Sequence, residues 1–294
     1  MYRLYIYRKK STMNQPNPLA KHFRQPAIFL KLPSQGKYWP DDALTLPATG
    51  ELPVYPMTTK DEILLRTPDA LINGSGVVGV IQSCIPSISD PWAMPSIDVD
   101  ACLIAIRIAS YGNDMNVTTS CPKCNHVNDN TIDLVTSLEQ IQLPDFNSTI
   151  EDTDLTIKLK PQTYFAVNRS NSITYKEQRI LDILAKPETE ISFEDRERNL
   201  KEVTEELIQL NVDNLTASTD YILMSDGNKV VDSDFIKEFY NNTSSALIRK
   251  VQDKLAEFAA ASGIKPYINI CAECETEYKS EVTFDYANFF GSGS

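Results

Sequence analysis

The 294-residue sequence contains two Cys-x-x-Cys turns, Cys121-Pro-Lys-Cys124 and Cys271-Ala-Glu-Cys274, and each turn stands between two short strand-like segments. Two thiolates on such a turn can bind the same ion, and a second turn completes a tetrahedral site with Zn–S bonds of about 2.3 Å. This layout predicts a zinc ribbon in which these four cysteines hold one Zn²⁺. Four thiolates leave no open coordination position, so we expect a structural metal and not a catalytic one.

The two turns are separated by residues 125–270, far more than the about 15–20 residues of a compact ribbon. We therefore predict a split ribbon whose halves meet in space, with a helical block inserted between them. Three alternatives stay open at this point: two dithiols that never meet, a redox pair, or a site in which His126 replaces one thiol.

The charge of the chain is uneven. Asp and Glu number 40 against 28 Lys and Arg, which gives a net charge of −12. Residues 1–25 carry six basic residues and no acid, which leaves −18 for the rest and suggests a docking tail, although Met13 could also be the true start. Such an acidic body argues against a chain that coats duplex DNA or an anionic membrane.

Two segment types are missing from the sequence. No apolar run approaches the roughly 20 residues of a membrane span, and the first residues lack the apolar segment of a secretory signal. We therefore expect the six cysteines to stay reduced inside a cell. Cys84 and Cys102 stand alone in apolar text and are predicted to pack in the core.

The pattern along the chain predicts an α+β fold. Frequent prolines exclude helix over most of residues 14–57, whereas helical periodicity dominates later segments. The predicted parts are an extended basic, proline-rich arm (1–57), a helical segment (58–112), the first half of a ribbon-like β module (113–160), an inserted helical block with a hairpin (161–263), and the second ribbon half with the C-terminal tail (264–294).

Local signals place the individual elements. Helices are predicted from Thr58 or Thr59 to a break at Pro68, over 76–84, over 97–111 with Gly112 as cap, up to Pro187, through the stripe 200–210, and over 233–239 and 247–262. The turn Ser225-Asp-Gly-Asn228 predicts a hairpin. Strands are predicted at 116–119, 126–134, 155–159, 267–270 and 278–284.

Enzyme signatures are absent from the sequence. It has two histidines, His22 and His126, no His-Glu-x-x-His and no phosphate-binding Gly-x-x-x-x-Gly-Lys. The stretch Gly74-Ser-Gly76-Val-Val-Gly79 fits a dinucleotide-binding pattern only loosely, because no surrounding strand–turn–helix unit supports it. We expect a protein that is not an enzyme.

Several stretches together resemble one family. They are Asn17-Pro-Leu-Ala-Lys-His-Phe-Arg24, Leu32-Pro-Ser-Gln-Gly-Lys-Tyr-Trp39, Pro56-Met-Thr-Thr-Lys-Asp-Glu-Ile-Leu-Leu65, Gln82-Ser-Cys-Ile85, both cysteine pairs, the Ser225 hairpin and Asn288-Phe-Phe290. In this order they resemble the baseplate-hub proteins of T-even-like contractile-tailed bacteriophages, from about residue 14 onward.

This resemblance implies a structural or assembly component of the tail baseplate, made in the host cytoplasm and located in the virion. Its partners would be other hub or tail-tube proteins, with no small-molecule substrate and no membrane; nucleic acid is not the expected partner. A zinc-ribbon nucleic-acid-binding protein and a zinc hydrolase remain the alternatives.

Aromatic residues supply candidate partner contacts. Tyr38, Trp39 and Tyr55 lie in the arm, which could pack on its own chain or wrap a neighbour. Phe289 and Phe290 could anchor the chain end on a partner, or fold back on their own ribbon.

Overall fold

A computed structural model describes residues 17–67, 74–171, 178, 193–280 and 289–290. Within these ranges the chain is a mixed helix–sheet fold, in agreement with the α+β class. Some predicted features lie outside the described residues: most of the basic N-terminal residues, the break at Pro68, the helix up to Pro187 and the end of the strand predicted for 278–284.

Three helices form the first core, which we call the helical body: α1 (Thr59–Leu65), α2 (Ser75–Cys84) and α3 (Ser96–Tyr111). Thr58 caps α1, because its side chain accepts a hydrogen bond from the Asp61 N–H while the Asp61 carboxylate accepts one from the Thr58 N–H. Helix α3 is apolar on most sides and is accordingly buried. Gly112, at φ 93°, ends it.

Residues 28–54 pack on this body. Strand β1 (Ile28–Leu30) pairs antiparallel with β2 (Leu52–Val54), and Leu30, Leu52 and Val54 are fully buried in the same core as α2 and α3. Upstream of them, a short 3₁₀ turn (Ala20–His22) has no buried residue. Of the two arrangements that the sequence left open, residues 28–54 therefore show packing on their own chain.

Two hairpins carry the cysteines, and we call them the cysteine module. The first pairs β3 (Asp114–Ser120) with β4 (Val127–Asp133), and the second pairs β9 (Tyr267–Ile270) with β10 (Glu277–Ser280). A short helix, α4 (Leu134–Gln140), follows β4 and is capped by Asp133. The sequence pattern did not predict α4, because its seven residues carry too little helical periodicity.

A second core fills the block between the hairpins. Strands β5 (Thr149–Asp152), β6 (Leu155–Leu159), β7 (Thr219–Met224) and β8 (Lys229–Val230) form one antiparallel sheet in that order. The predicted turn at residues 225–228 connects β7 to β8. Residues 149–159, which we assigned to the first ribbon half, thus belong to the inserted block, since β6 pairs with β7 far along the chain.

Helices cover this sheet. They are α5 (Phe193–Ala217), α6 (Ser233–Asn242) and α7 (Ser245–Ser262), and residues 164–171 are also helical. Asp232 caps α6, and its carboxylate accepts hydrogen bonds from the backbone N–H groups of Asp234 and Phe235. Ile157, Leu215, Ile222, Tyr240 and Val251 are among the buried residues of this core. Among the described residues, no helix combines the length and the hydropathy that a membrane span requires.

Candidate metal centre

The four predicted cysteine ligands converge in space. Cys121 Sγ lies 3.7 Å from Cys274 Sγ, Cys124 Sγ lies 3.6 Å from Cys271 Sγ, and all four sulfurs lie within 4.8 Å of one another. A disulfide would need about 2.05 Å. A tetrahedron with metal–sulfur bonds of about 2.3 Å has edges of about 3.8 Å, which matches these separations. The cluster can therefore hold one metal ion with four thiolates.

Both cysteine turns have the same backbone geometry. The Asn125 N–H donates to Cys121 O at 2.9 Å, and the Glu275 N–H donates to Cys271 O at 3.0 Å. Asn125 and Glu275, each directly after the second cysteine of its turn, have φ values of 57° and 54°. This left-handed residue lets the chain reverse so that both sulfurs of a turn face the same point.

The site lies at the surface and is covered from one side. Cys121 and Cys271 are buried, Cys274 is half-buried and Cys124 is exposed. Thr276 Oγ1 lies 3.3 Å from Cys274 Sγ. Hydrogen bonds from the Thr276 hydroxyl and from its backbone N–H lower the pKa of the Cys274 thiol to about 6. Thr276 therefore favours the thiolate, the form that binds a metal.

Asn128, in β4, joins the two halves of the module. The sequence pattern did not identify it as a site residue. Its Oδ1 accepts a hydrogen bond from the Ala272 N–H at 2.9 Å, while its Nδ2 lies 3.7 Å from Cys271 Sγ and 3.2 Å from His126 O. The side chain is 5% exposed. Asn128 from the first half thus orients Cys271 of the second half. Residues that hydrogen-bond to metal ligands commonly fix the orientation of those ligands in this way.

A second polar contact crosses the module beside the cluster. Thr119 Oγ1 lies 2.7 Å from the hydroxyl of Tyr278, a buried residue that packs with Cys121 and Cys271. Asn130 Nδ2 in turn donates to Thr119 Oγ1 at 2.9 Å. The contact between Thr119 and Tyr278 therefore joins the two hairpins without involving a cysteine.

His126 is not part of the cluster, because all four thiols converge without it. The alternative in which His126 replaces one thiol is therefore not the arrangement found.

The predicted aromatic contact residues of the N-terminal segment differ in exposure. Tyr38 is 41% exposed, and its ring meets the edge of Phe146 with centroids 5.6 Å apart. Trp39 packs against the helical body, and its Nε1 donates to Asp98 Oδ2 at 2.8 Å. Tyr55 is half-buried, with the Arg24 guanidinium 5.9 Å from its ring centroid. Tyr38 is the most exposed of the three.

Phe289 and Phe290 lie in the helical body, where each is 4% exposed. They fold back on their own chain, as one of the two alternatives predicts. They pack on the helical body, however, and not on the ribbon named in that alternative. The reason is that Arg107 and Tyr111 on α3 contact the backbone carbonyls of this pair. As placed, the two rings are not available to a partner, which corrects their prediction as surface anchors.

The chain was compared with known proteins. A family model described as T4 bacteriophage base plate protein matches residues 26–291. No curated protein and no solved structure matches significantly. The family match includes both cysteine turns, both cores and most of the chain. The chain therefore belongs to the T4 bacteriophage base plate protein family.

Proposed function

We propose that the protein is a structural or assembly component of the hub region of a contractile phage tail baseplate, with one structural Zn²⁺. The observation that carries this proposal is the family match over residues 26–291, which makes the chain a baseplate protein. The hub position, the binding of other hub or tail-tube proteins and the identity of the metal go beyond the match. The hub position and its partners rest on the resemblance described for the sequence, and the arguments below support the metal and the partner contacts.

The ligand set favours zinc. Four thiolates are soft ligands, and a tetrahedral S₄ arrangement is typical of zinc or of iron–sulfur chemistry. The sulfur separations of 3.6 and 3.7 Å fit a single small ion at the centre. Such an ion would join hairpins that are more than 140 residues apart in sequence, as a cross-link does. If loop entropy governs, closing so long a loop stabilises the fold by on the order of 5 kcal/mol.

The four-cysteine geometry argues against a zinc hydrolase, and the net charge argues against a nucleic-acid-binding protein. A zinc hydrolase needs an open coordination position for water, whereas four cysteines fill a tetrahedron. A nucleic-acid-binding role would require a basic surface, but the chain has a net charge of −12. Steeply salt-dependent binding of the chain to nucleic acid would nevertheless support the nucleic-acid-binding alternative.

Partner contact is proposed for two tyrosines of the N-terminal segment, the exposed Tyr38 and the half-buried Tyr55. Tyr38 and Tyr55 offer rings to a neighbouring chain, and aromatic residues often dominate such interfaces. Trp39 would act by holding the loop that carries Tyr38, since its indole N–H is bound to Asp98. We do not retain Phe289 and Phe290 in this role.

Quantitative mass spectrometry of purified phage particles and of isolated tail and baseplate intermediates tests the proposal. A fixed copy number in mature particles identifies a virion component, and its ratio to known tail proteins suggests the symmetry. Presence in intermediates alone identifies an assembly factor. Absence from both contradicts the proposed role.

A metal measurement on the purified full chain tests the zinc. Native mass spectrometry should find one zinc ion per chain, and the Cys102→Ala variant, altered at a buried cysteine outside the cluster, should retain it. A chain that binds zinc with fewer than four of the cysteines, or binds none, would contradict the structural site.

A further inference from the structure

A cavity of about 790 Å³ lies between the helical body and the second core. The start of α3, parts of residues 160–171 and the second half of α7 form its wall, in which the rings of Phe146 and Phe258 pack with centroids 4.5 Å apart. Ala256 and Ala259 in this wall are exposed, so the cavity is open to water beside α7. Ligand sites in proteins typically have volumes of about 300–1,000 Å³.

Asp100 on α3 is the only acidic residue among the described residues of this wall. It is half-buried, and within the described part of the chain it forms no hydrogen bond and no ion pair. Burial raises the pKa of Asp100, and no neighbouring cation counteracts this effect. A carboxylate in such a wall is costly unless a positive group pairs with it. The cavity therefore offers an unused acceptor for a cation.

Aromatic surface lies close to this carboxylate. Tyr164 lines the cavity, and burial together with the nearby charge of Asp100 raises the pKa of Tyr164 to about 12. The Tyr164 ring is stacked on Trp92, with centroids 5.5 Å apart, and Trp92 in turn meets the edge of Phe165, which is 58% exposed. Aromatic rings attract the ammonium of lysine and especially the guanidinium of arginine. A carboxylate beside aromatic rings thus favours a basic side chain.

The charge of the whole chain favours the same kind of occupant. Its net charge of −12 attracts basic segments, and complementary charge guides the association of proteins. Within the described residues, Lys160 is the only basic residue of the wall and forms no ion pair with Asp100. Ile97, Val99 and Leu255 are among the apolar residues of the wall. A fitting ligand therefore carries apolar groups next to its cation.

We propose that this cavity binds a segment of a partner protein that presents an arginine or lysine side chain between apolar residues, with the cation paired to Asp100. The inference goes beyond the proposed function and does not depend on it, since it requires neither zinc nor a position in the hub. A chain that is absent from phage particles and intermediates would contradict the proposed function and leave this site untouched.

The test passes a library of six-residue peptides, each with one fixed position, over the immobilised full-length chain at about 0.15 M salt, which screens long-range attraction between exposed charges. Mass spectrometry of the retained peptides should show arginine and lysine enriched at least tenfold at one position, with apolar residues beside it. The Asp100→Asn variant, which keeps the side-chain shape, should lose this enrichment. Asp253→Asn is the matched control and should keep it, because Asp253 is exposed on α7 and does not line the cavity.

Two substitutions on α7 test whether the peptide enters the cavity. Ala259→Phe places a ring in the wall and should weaken binding of the most enriched arginine peptide at least tenfold, as measured by fluorescence anisotropy. Ala260→Phe, at an exposed position outside the wall, should leave the affinity unchanged. Citrulline in place of the arginine removes the charge from the peptide and should also weaken binding at least tenfold. Circular dichroism establishes that each variant is folded.

The outcomes that contradict the proposal are specific. Absence of enrichment, equal enrichment on the wild-type and Asp100→Asn chains, or undiminished affinity of the Ala259→Phe variant would each overturn it. Argininamide that binds as tightly as the peptide would identify a site for a small cation and not for a partner segment. Because the full chain is used, any part of the chain that fills the cavity itself would prevent binding and overturn the proposal as well.

Discussion

Asn128 and Cys271 lie in different halves of the cysteine module, and the Asn128 Nδ2 donates a hydrogen bond to Cys271 Sγ across 3.7 Å. The same side chain accepts a hydrogen bond from the N–H of Ala272, the next residue of the turn. One buried amide thus sets the position of a ligand that arrives 143 residues later in the sequence. The geometry of the metal centre depends on this contact as well as on the cysteines.

We predict that Asn128→Ala lowers the affinity for zinc by about 10- to 100-fold, as is common when a residue that orients a ligand is removed. Competition with a chromophoric chelator measures the change. Asn130→Ala is the matched control, because Asn130 bonds Thr119 in its own hairpin and does not contact a cysteine. Equal affinities of the two variants would show that Asn128 does not orient Cys271.

We predict that Cys121→Ser and Cys274→Ser each abolish stoichiometric zinc binding and lower the melting temperature of the whole chain. The reason is that the metal would join hairpins from opposite ends of the fold, so its loss affects folding and not merely one turn. Cys102→Ala should keep one zinc ion per chain. Unchanged metal content and melting temperature in both serine variants would refute a structural metal.

We predict that Gln35→Gly stabilises the chain by about 0.5–1 kcal/mol. Gln35 is exposed and has φ 56°, a conformation that costs most residues on the order of 1 kcal/mol but suits glycine. Lys37→Gly, in the same loop but without a positive φ, should destabilise it by about 0.5–1 kcal/mol. The midpoints of urea unfolding compare the two, and a loss of stability with Gln35→Gly would contradict the account.

We predict that stability depends on pH through Asp98, which is fully buried. Burial raises the pKa of Asp98, although hydrogen bonds from Ser34 and Trp39 partly offset this effect. The folded chain therefore holds the proton to higher pH than the unfolded chain. Stability from this group is complete below the ordinary aspartate pKa of about 4 and is lost as pH rises through the folded value.

The Asp98→Asn variant isolates this effect. Urea unfolding of both chains between about pH 4 and pH 8 should show the wild-type chain losing stability relative to the variant as pH rises, followed by a plateau. A stability difference that is independent of pH, or that changes in the opposite direction, would contradict a raised pKa of Asp98.

Local signals were sufficient for most helices and for the cysteine ligands. Capping at Thr58 and Asp232, the end of α3 at Gly112 and the turn at residues 225–228 all depend on groups within a few residues of each other. The spacing within each Cys-x-x-Cys turn likewise specifies two sulfurs on one side of a turn. Such signals are readable because the interacting atoms are close in sequence.

Long-range relationships could not be read in this way. A polar residue in a strand, such as Asn128, looks the same whether it faces water or a sulfur from the far end of the chain. The sequence predicts the strand at residues 155–159, but it does not predict that this strand pairs with β7. The choice of partner strand and its register depend on which face of the sheet is buried. No residue near Phe289 in sequence indicates that its carbonyl oxygen accepts a hydrogen bond from Arg107.

The sequence by itself determined which residues can bind a metal, where most of the helices lie, and that the chain is acidic and α+β. The tertiary structure alone decided that the two cysteine turns share one site, that residues 149–159 join the inserted sheet, and that Phe289 and Phe290 enter the helical body. The physical reason is that hydrogen bonds and burial between distant segments depend on how the whole chain closes, and no local pattern contains that information.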